Sequence, residues 1–294
     1  MVQVPIGPSP FIKWAGGKSQ LLNVLIKCAP QTFGTYYEPF LGGGALFFKL
    51  YSMGRIRRAI LSDANKDLMN CYVAIRDNTE ALLTELELLQ EHASEKEFYY
   101  EVARPKFNKI RLRTGLDGDV AKAALLLYLN KTCYNGLYRV NSDGEFNVPW
   151  GRYENPRIYD EGNIRKVSKA LSDSRITLRC CGYDLAVAAA KENDFVYLDP
   201  PYQPVSATSW FTQYTPSSFT EEDQRKLAET FKTLDKRGCK LLLSNSYNPL
   251  IDDLYKEYID RGNILKTLAA RQISCKGDGR GRIYEYVIYN YPLY

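Results

Sequence analysis

Apolar positions along this chain follow two spacings. Short continuous runs stop abruptly at glycine, proline or an acid, and longer stretches place apolar residues three or four apart. Tyr36-Tyr37-Glu38-Pro39-Phe40 predicts a strand running into the glycine turn Gly42-Gly43-Gly44, with helical character over 45–53. Residues 58–63 predict a second strand ending in Asp63, and residues 67–89 a helix. The run over 195–198 is stopped by Asp199-Pro200-Pro201-Tyr202, where two prolines end a strand and force a turn. An amphipathic helix over 219–237, a buried strand over 240–244 and a terminal strand over 283–291 continue the alternation. Strands separated by helices predict an α/β fold with a doubly wound, Rossmann-like parallel sheet.

The middle of the chain departs from this rhythm. Residues 76–168 are rich in charge and tyrosine, with helical patches at 96–104 and 120–129 and an irregular polar run over 131–153. Turn signals fall at Asn135-Gly136 and Asp143-Gly144. The second is flanked by 139–141 and 146–148, which predicts a β-hairpin. The expected organisation is one domain formed by residues 1–75 and 169–294. Residues 76–168 are expected to form an inserted, mostly helical domain carrying the hairpin.

Composition narrows the classes. The 294 residues are 45% hydrophobic and 25% charged, which excludes a disordered chain, a collagen and a simple coiled coil. No run approaches 18 apolar residues, so no transmembrane helix is expected. The first residues lack the apolar segment of a signal peptide, and the cytoplasm is the expected location. Seven scattered cysteines without a C-x-x-C fit reduced thiols and argue against zinc. A single histidine, His92, sits in an acidic stretch, which argues against a Ser-His-Asp triad or a multi-histidine metal centre.

The net charge of +5 permits a nucleic-acid partner without demanding one. Its distribution says more. Residues 102–114 hold five basic residues and no acid, and residues 271–282 hold four basic residues, one acid and glycines at 277, 279 and 281. Such stretches can follow a phosphate backbone.

Two glycine motifs suggest nucleotides, and both miss their standard form. Gly16-Gly17-Lys18-Ser19 ends like a P-loop, but the required earlier glycine is Ile12. Gly42-Gly43-Gly44 resembles the opening of G-x-G-x-x-G, but the third glycine position holds Phe47. A strand, a small-residue turn and a helix start remain, able to receive a nucleoside-containing ligand. Asp63, 21 residues after Gly42 at the end of the next strand, stands where an acid accepts from ribose hydroxyls.

Asp199-Pro200-Pro201-Tyr202 after an apolar strand is the sharper feature. The exocyclic amine of adenine is a poor nucleophile because its lone pair is delocalised into the ring. Acceptors for its two hydrogens push it toward a nucleophilic, tetrahedral form. The Asp199 carboxylate and the Pro200 carbonyl can supply both, and proline fixes φ and brings no competing donor. Tyr202 can stack on an extruded base.

Five ordered blocks, 11–18, 38–44, 135–141, 145–149 and 199–202, resemble the Dam family of S-adenosylmethionine-dependent DNA adenine methyltransferases. The order, with the glycine motif first, recognition region next and D-P-P-Y last, is that of the alpha group of amino-methyltransferases. The resemblance implies cofactor contacts by Trp14, Lys18, Glu38, Phe40, Asp63, Tyr183 and Asp199. Lys18 suits the methionyl carboxylate, Glu38 the α-ammonium and Asp63 the ribose. The resemblance also implies DNA contacts by Lys13, Tyr134, Asn135, Leu137, Arg139 and Pro149. Arg139 is the guanine reader, Leu137 and Pro149 make apolar contacts, and Tyr134 is the wedge beside a vacated base. It further implies a GATC target in duplex DNA, a monomer, S-adenosylhomocysteine as product and no metal. Two rival readings stay open. One is another methyl acceptor: a cytosine amine, RNA or a protein glutamine. Related enzymes on cytosine amines carry serine in place of Asp199, and those on glutamine carry asparagine. The other is a DNA-binding relative without catalysis.

Overall fold

Tyr36 and Tyr37 are neighbours in the chain and belong to different cores. So do Leu61 and Ile60, Tyr197 and Val196, and Leu242 and Leu241: the first of each pair packs on one side of the sheet and the second on the other. Side chains alternate along a strand, so a strand covered on both faces reads as an uninterrupted apolar run. This is why the runs at 195–198 and 240–244 are continuous rather than alternating.

The computed structural model describes residues 7–14, 16, 21–111, 117–201, 219–270 and 282–293. Among them, seven strands form one sheet: β1 (Tyr36–Glu38), β2 (Ala59–Asp63), β3 (Ile176–Cys180), β4 (Phe195–Leu198), β5 (Lys240–Ser246), β6 (Ile264–Ala270) and β7 (Arg282–Tyr289). Their order is β3-β2-β1-β4-β5-β7-β6. Strands β1 to β5 pair in parallel, and β7 runs antiparallel between β5 and β6. The protein is therefore α/β with a mostly parallel, Rossmann-like sheet. β3 and β6 were not expected as strands. They lie at the two edges of the sheet, where less burial is required; β3 is buried at Ile176 and partly open beyond it.

The chain between β2 and β3 is mostly helical. The helix expected over 67–89 is two, Lys66–Asp77 and Thr79–Glu91. Asn78 divides them at φ −132°, ψ 38°, and its amide donates to the Gly118 carbonyl at 3.2 Å, an example of an asparagine side chain bonding main chain where a helix ends. The patch at 96–104 becomes a π-helical turn, Phe98–Ala103, leading into helix Arg104–Ile110. Helix Val120–Thr132 is buried over most of its length. The hairpin forms as expected. Val140 bridges Phe146, Asn141 N–H donates to Glu145 O at 2.8 Å and Asn147 N–H to Arg139 O at 3.1 Å.

Candidate active site and nucleic-acid interface

The strand order reverses direction between β1 and β4, and in open α/β sheets ligands bind at the carboxyl ends of strands at such a switch point. Glu38 ends β1, Asp63 ends β2 and Asp199 follows β4. Glu38 is 3% exposed, and its Oε2 accepts from the Tyr36 hydroxyl at 2.9 Å. Burial pushes its carboxyl up to about 8; the hydrogen bond from Tyr36 pulls the other way, and the Asp199 charge adds to the rise. Tyr36 and Tyr197 are likewise raised, by burial first and by the same acids in addition. Burial and the neighbouring acid make the Glu38 carboxyl hold its proton, and a cationic group entering beside it would favour the ionised form.

The glycine turn lies beside it. Gly42 has φ +50°, a conformation that side-chain-bearing residues rarely adopt, and a Cβ there would come 3.1 Å from Trp14 Cδ1. Asp63 ties the turn to β2, its Oδ2 accepting from Gly42 N–H at 3.0 Å and its Oδ1 from Asn65 N–H at 2.9 Å. Burial raises the Asp63 carboxyl, and these amides, with that of Ala64, offset the rise. Asp63 was expected as a ribose acceptor; in this structure its resolved partners are main-chain amides. Tyr72 closes the other side, its hydroxyl donating to Gly42 O at 2.9 Å.

Phe40 and Tyr183 stack with ring centroids 5.3 Å apart at 27°, and Phe219 meets Phe40 edge-on at 5.9 Å. Sequence reasoning named Phe40 and Tyr183 as separate cofactor contacts without pairing them and missed Phe219, which stands just before the capped helix Glu221–Lys236. The turn after Asp199 is braced from behind. Gln224 Nε2 donates to Pro201 O at 3.3 Å, and Asn245 Nδ2 donates to Gln224 Oε1 at 3.0 Å. Both amides are fully buried. Lys18, Tyr202 and the basic residues 271–281 lie outside the described residues.

The second cluster lies on the helical part. Asn135 and Gly136 turn with φ of 56° and 66°, as their sequence signalled. Asn130, 1% exposed at the end of an otherwise apolar run, fastens this turn to the N-terminal segment. Its Oδ1 accepts from Lys13 N–H at 3.0 Å, and its Nδ2 donates to Lys13 O at 2.7 Å and to Gly136 O at 2.9 Å. Lys13, Tyr134 and Pro149 are exposed together, with Tyr134 N–H donating to Pro149 O at 2.8 Å. The Lys13 ammonium stands 5.5 Å from the Tyr153 ring. Leu137 does not join this face. It is 6% exposed and belongs to the core, so the apolar contact expected of it is not presented. Arg139 is partly buried and held by Asn147.

The two clusters meet through Tyr138. Its ring lies 5.3 Å from Trp14, and its hydroxyl donates to Asp67 Oδ2 at 2.6 Å. Asp67 also takes Arg111 Nε at 3.1 Å and Lys122 Nζ at 3.0 Å. Arg111, counted above among basic residues suited to phosphate, is spent on this buried acid instead.

Acids at the ends of three strands of such a sheet, with an Asp-Pro-Pro turn at its switch point, define a methyltransferase frame. Residues 14–273 match the family described as D12 class N6 adenine-specific DNA methyltransferase, and the chain belongs to that family. It is 45% identical over 294 residues to the type II methyltransferase M.MjaIII of Methanocaldococcus jannaschii, covering 96% of this chain and 99% of that one. It is 42% identical to the type II methyltransferase M1.LlaDCHI of Lactococcus lactis subsp. cremoris (96% and 95% covered). It is 35% identical to the DNA adenine methylase of Escherichia coli K12 (94% and 92% covered).

Proposed function

We propose that this protein transfers a methyl group from S-adenosylmethionine to the N6 amine of an adenine extruded from duplex DNA, within GATC. The observation that carries the reading is the corner where Asp199 stands close enough to raise the carboxyl of buried Glu38, with the Pro200-Pro201 turn braced by Gln224.

The residues fit the donor. Glu38 is a buried acid with no cation paired to it among the described residues, and it would take the α-ammonium. The Phe40–Tyr183 stack offers an apolar face to the nucleoside, Asp63 would accept from the ribose, and Trp14 and Lys18 would complete the pocket. When bound, S-adenosylmethionine supplies an electrophilic methyl group and leaves as S-adenosylhomocysteine.

The chain's own groups act on the base. The Asp199 carboxylate and Pro200 carbonyl accept the two N6 hydrogens, draw the lone pair out of conjugation and orient it. Tyr202 stacks on the extruded ring. Residues 76–168 form the target-recognition domain, and residues 1–75 and 169–294 the catalytic one. Lys13, Tyr134, Asn135 and Pro149 meet the DNA, Tyr134 beside the vacated base. Arg139 reads guanine, because its planar fork matches the acceptors of that base. The protein acts as a monomer in the cytoplasm.

Tritium transfer from labelled cofactor to duplex DNA, followed by nucleoside analysis, tests the reaction. Label in N6-methyladenine is expected, and label in cytosine or none would refute it. Continued cutting of every GATC in DNA from an expressing strain by methylation-sensitive nucleases would refute the target.

A further inference from the structure

The Arg139 guanidinium is gripped along one edge. Its Nε donates to Asn147 Oδ1 at 2.7 Å, and its Nη2 donates to the Asn147 main-chain oxygen at 3.2 Å. The Asn147 N–H returns to Arg139 O at 3.1 Å, so the two residues form a cross-strand pair beside the Val140–Phe146 bridge. A guanidinium is planar and carries five N–H bonds, four of them paired on two donor edges. Asn147 takes the Nε–Nη2 edge. The Nη1–Nη2 edge, turned about 120° from it in the same plane, can donate side by side to O6 and N7 of guanine.

The hairpin has its own fastening. Asn108 Oδ1 accepts from Phe146 N–H at 2.8 Å and its Nδ2 donates to Phe146 O at 3.1 Å, while the Phe146 ring is buried. The Asn147 side chain is therefore not what keeps the strands together. Its resolved partner is the arginine.

We propose that Asn147 is a positioning residue for target choice: it holds Arg139 with the free edge outward before DNA arrives. A long flexible side chain then orders less on binding, and a base lacking the paired acceptors meets a fork that does not swing to suit it. The proposal rests on the reading of Arg139 as the base reader given above.

The test compares kcat/KM on duplexes carrying guanine, 7-deazaguanine or adenine at the position Arg139 reads. The full-length proteins are the wild type, Asn147→Ala, Asn147→Ser, Asn147→Asp, Arg139→Ala and the Asn147→Ala/Arg139→Ala double variant. Asn147→Ala and Asn147→Ser, which is too short to reach Nε, are expected to lower the preference for guanine over adenine by about fivefold or more. Their kcat on the guanine duplex should stay near that of the wild type. Asn147→Asp keeps an acceptor for Nε and is expected to keep the preference. The double variant is expected to match Arg139→Ala, because Asn147 acts only through the arginine. Unchanged preference in both short variants, or additive losses in the double variant, would overturn the proposal while leaving Arg139 as reader. Unchanged preference in Arg139→Ala would overturn the reading of Arg139 and the proposal with it.

Discussion

The Tyr138 hydroxyl donates to Asp67 across 2.6 Å, joining residues 71 positions apart in the chain. The same ring lies against Trp14, which covers Gly42. One side chain thus connects the residue next to Arg139 with the glycine turn. Removing the hydroxyl takes a charge-assisted hydrogen bond from a carboxylate that is 4% exposed. Tyr138→Phe is expected to lower stability by about 1–3 kcal/mol, read as a shift of the urea midpoint at unchanged slope.

Glu38 makes stability depend on pH. Its carboxyl sits at about 8 in the folded protein against 4.5 for an unperturbed glutamate, so the folded state holds the proton more tightly. Its contribution is fully present below about 4.5 and is lost as pH rises through about 8. Glu38→Gln should flatten this part of the profile, and a wild-type-minus-variant difference that does not fall between pH 5 and 8 would contradict it. A bound ammonium needs the ionised form. Cofactor binding near neutral pH should therefore release a proton, seen as heat that varies with the ionisation enthalpy of the buffer.

Asp199→Ala removes one of the two acceptors proposed for the amine. Turnover should fall at least ~100-fold, the loss typical of a key electrostatic group, with DNA affinity by gel shift retained. Near-normal turnover would dismiss the mechanism.

Gly42→Ala forces a Cβ onto a residue at φ +50° and 3.1 Å from the Trp14 ring. The backbone strain alone costs about 1–2 kcal/mol. The variant should melt earlier and bind S-adenosylmethionine more weakly, measured by calorimetry on the folded fraction.

The interior of the sheet was legible in the sequence because strands covered on two sides must be apolar throughout. Its edges were not. β3 reads Ile-Thr-Leu-Arg-Cys, a mixture that loops also show. The break at Asn78 was hidden because the apolar spacing continues on both sides of it, and only the contact with Gly118 shows why the helix stops. Among the proposed site residues, Asp63 and Asp199 announced themselves by ending apolar runs, and Glu38 came from the family resemblance. Asp67, Gln224 and Phe219 did not announce themselves, since each takes its meaning from partners distant in sequence, and Asn147, although inside the block 145–149, shows its grip on Arg139 only once the hairpin is formed. Asn130 left a faint trace, a lone amide closing the run Ala123 to Leu129. Leu137 was placed on the DNA face by the resemblance alone; in the fold it is buried, as are Gly136 and Tyr138 on either side of it.

Asn130 grips only main-chain atoms, of Lys13 on one side and Gly136 on the other. The side chains at positions 13, 134, 135 and 149 are consequently not part of the fastening. Mutation can exchange them while the loop and the N-terminal segment keep their spacing, so under the DNA contacts proposed above the target sequence can change without rebuilding the scaffold.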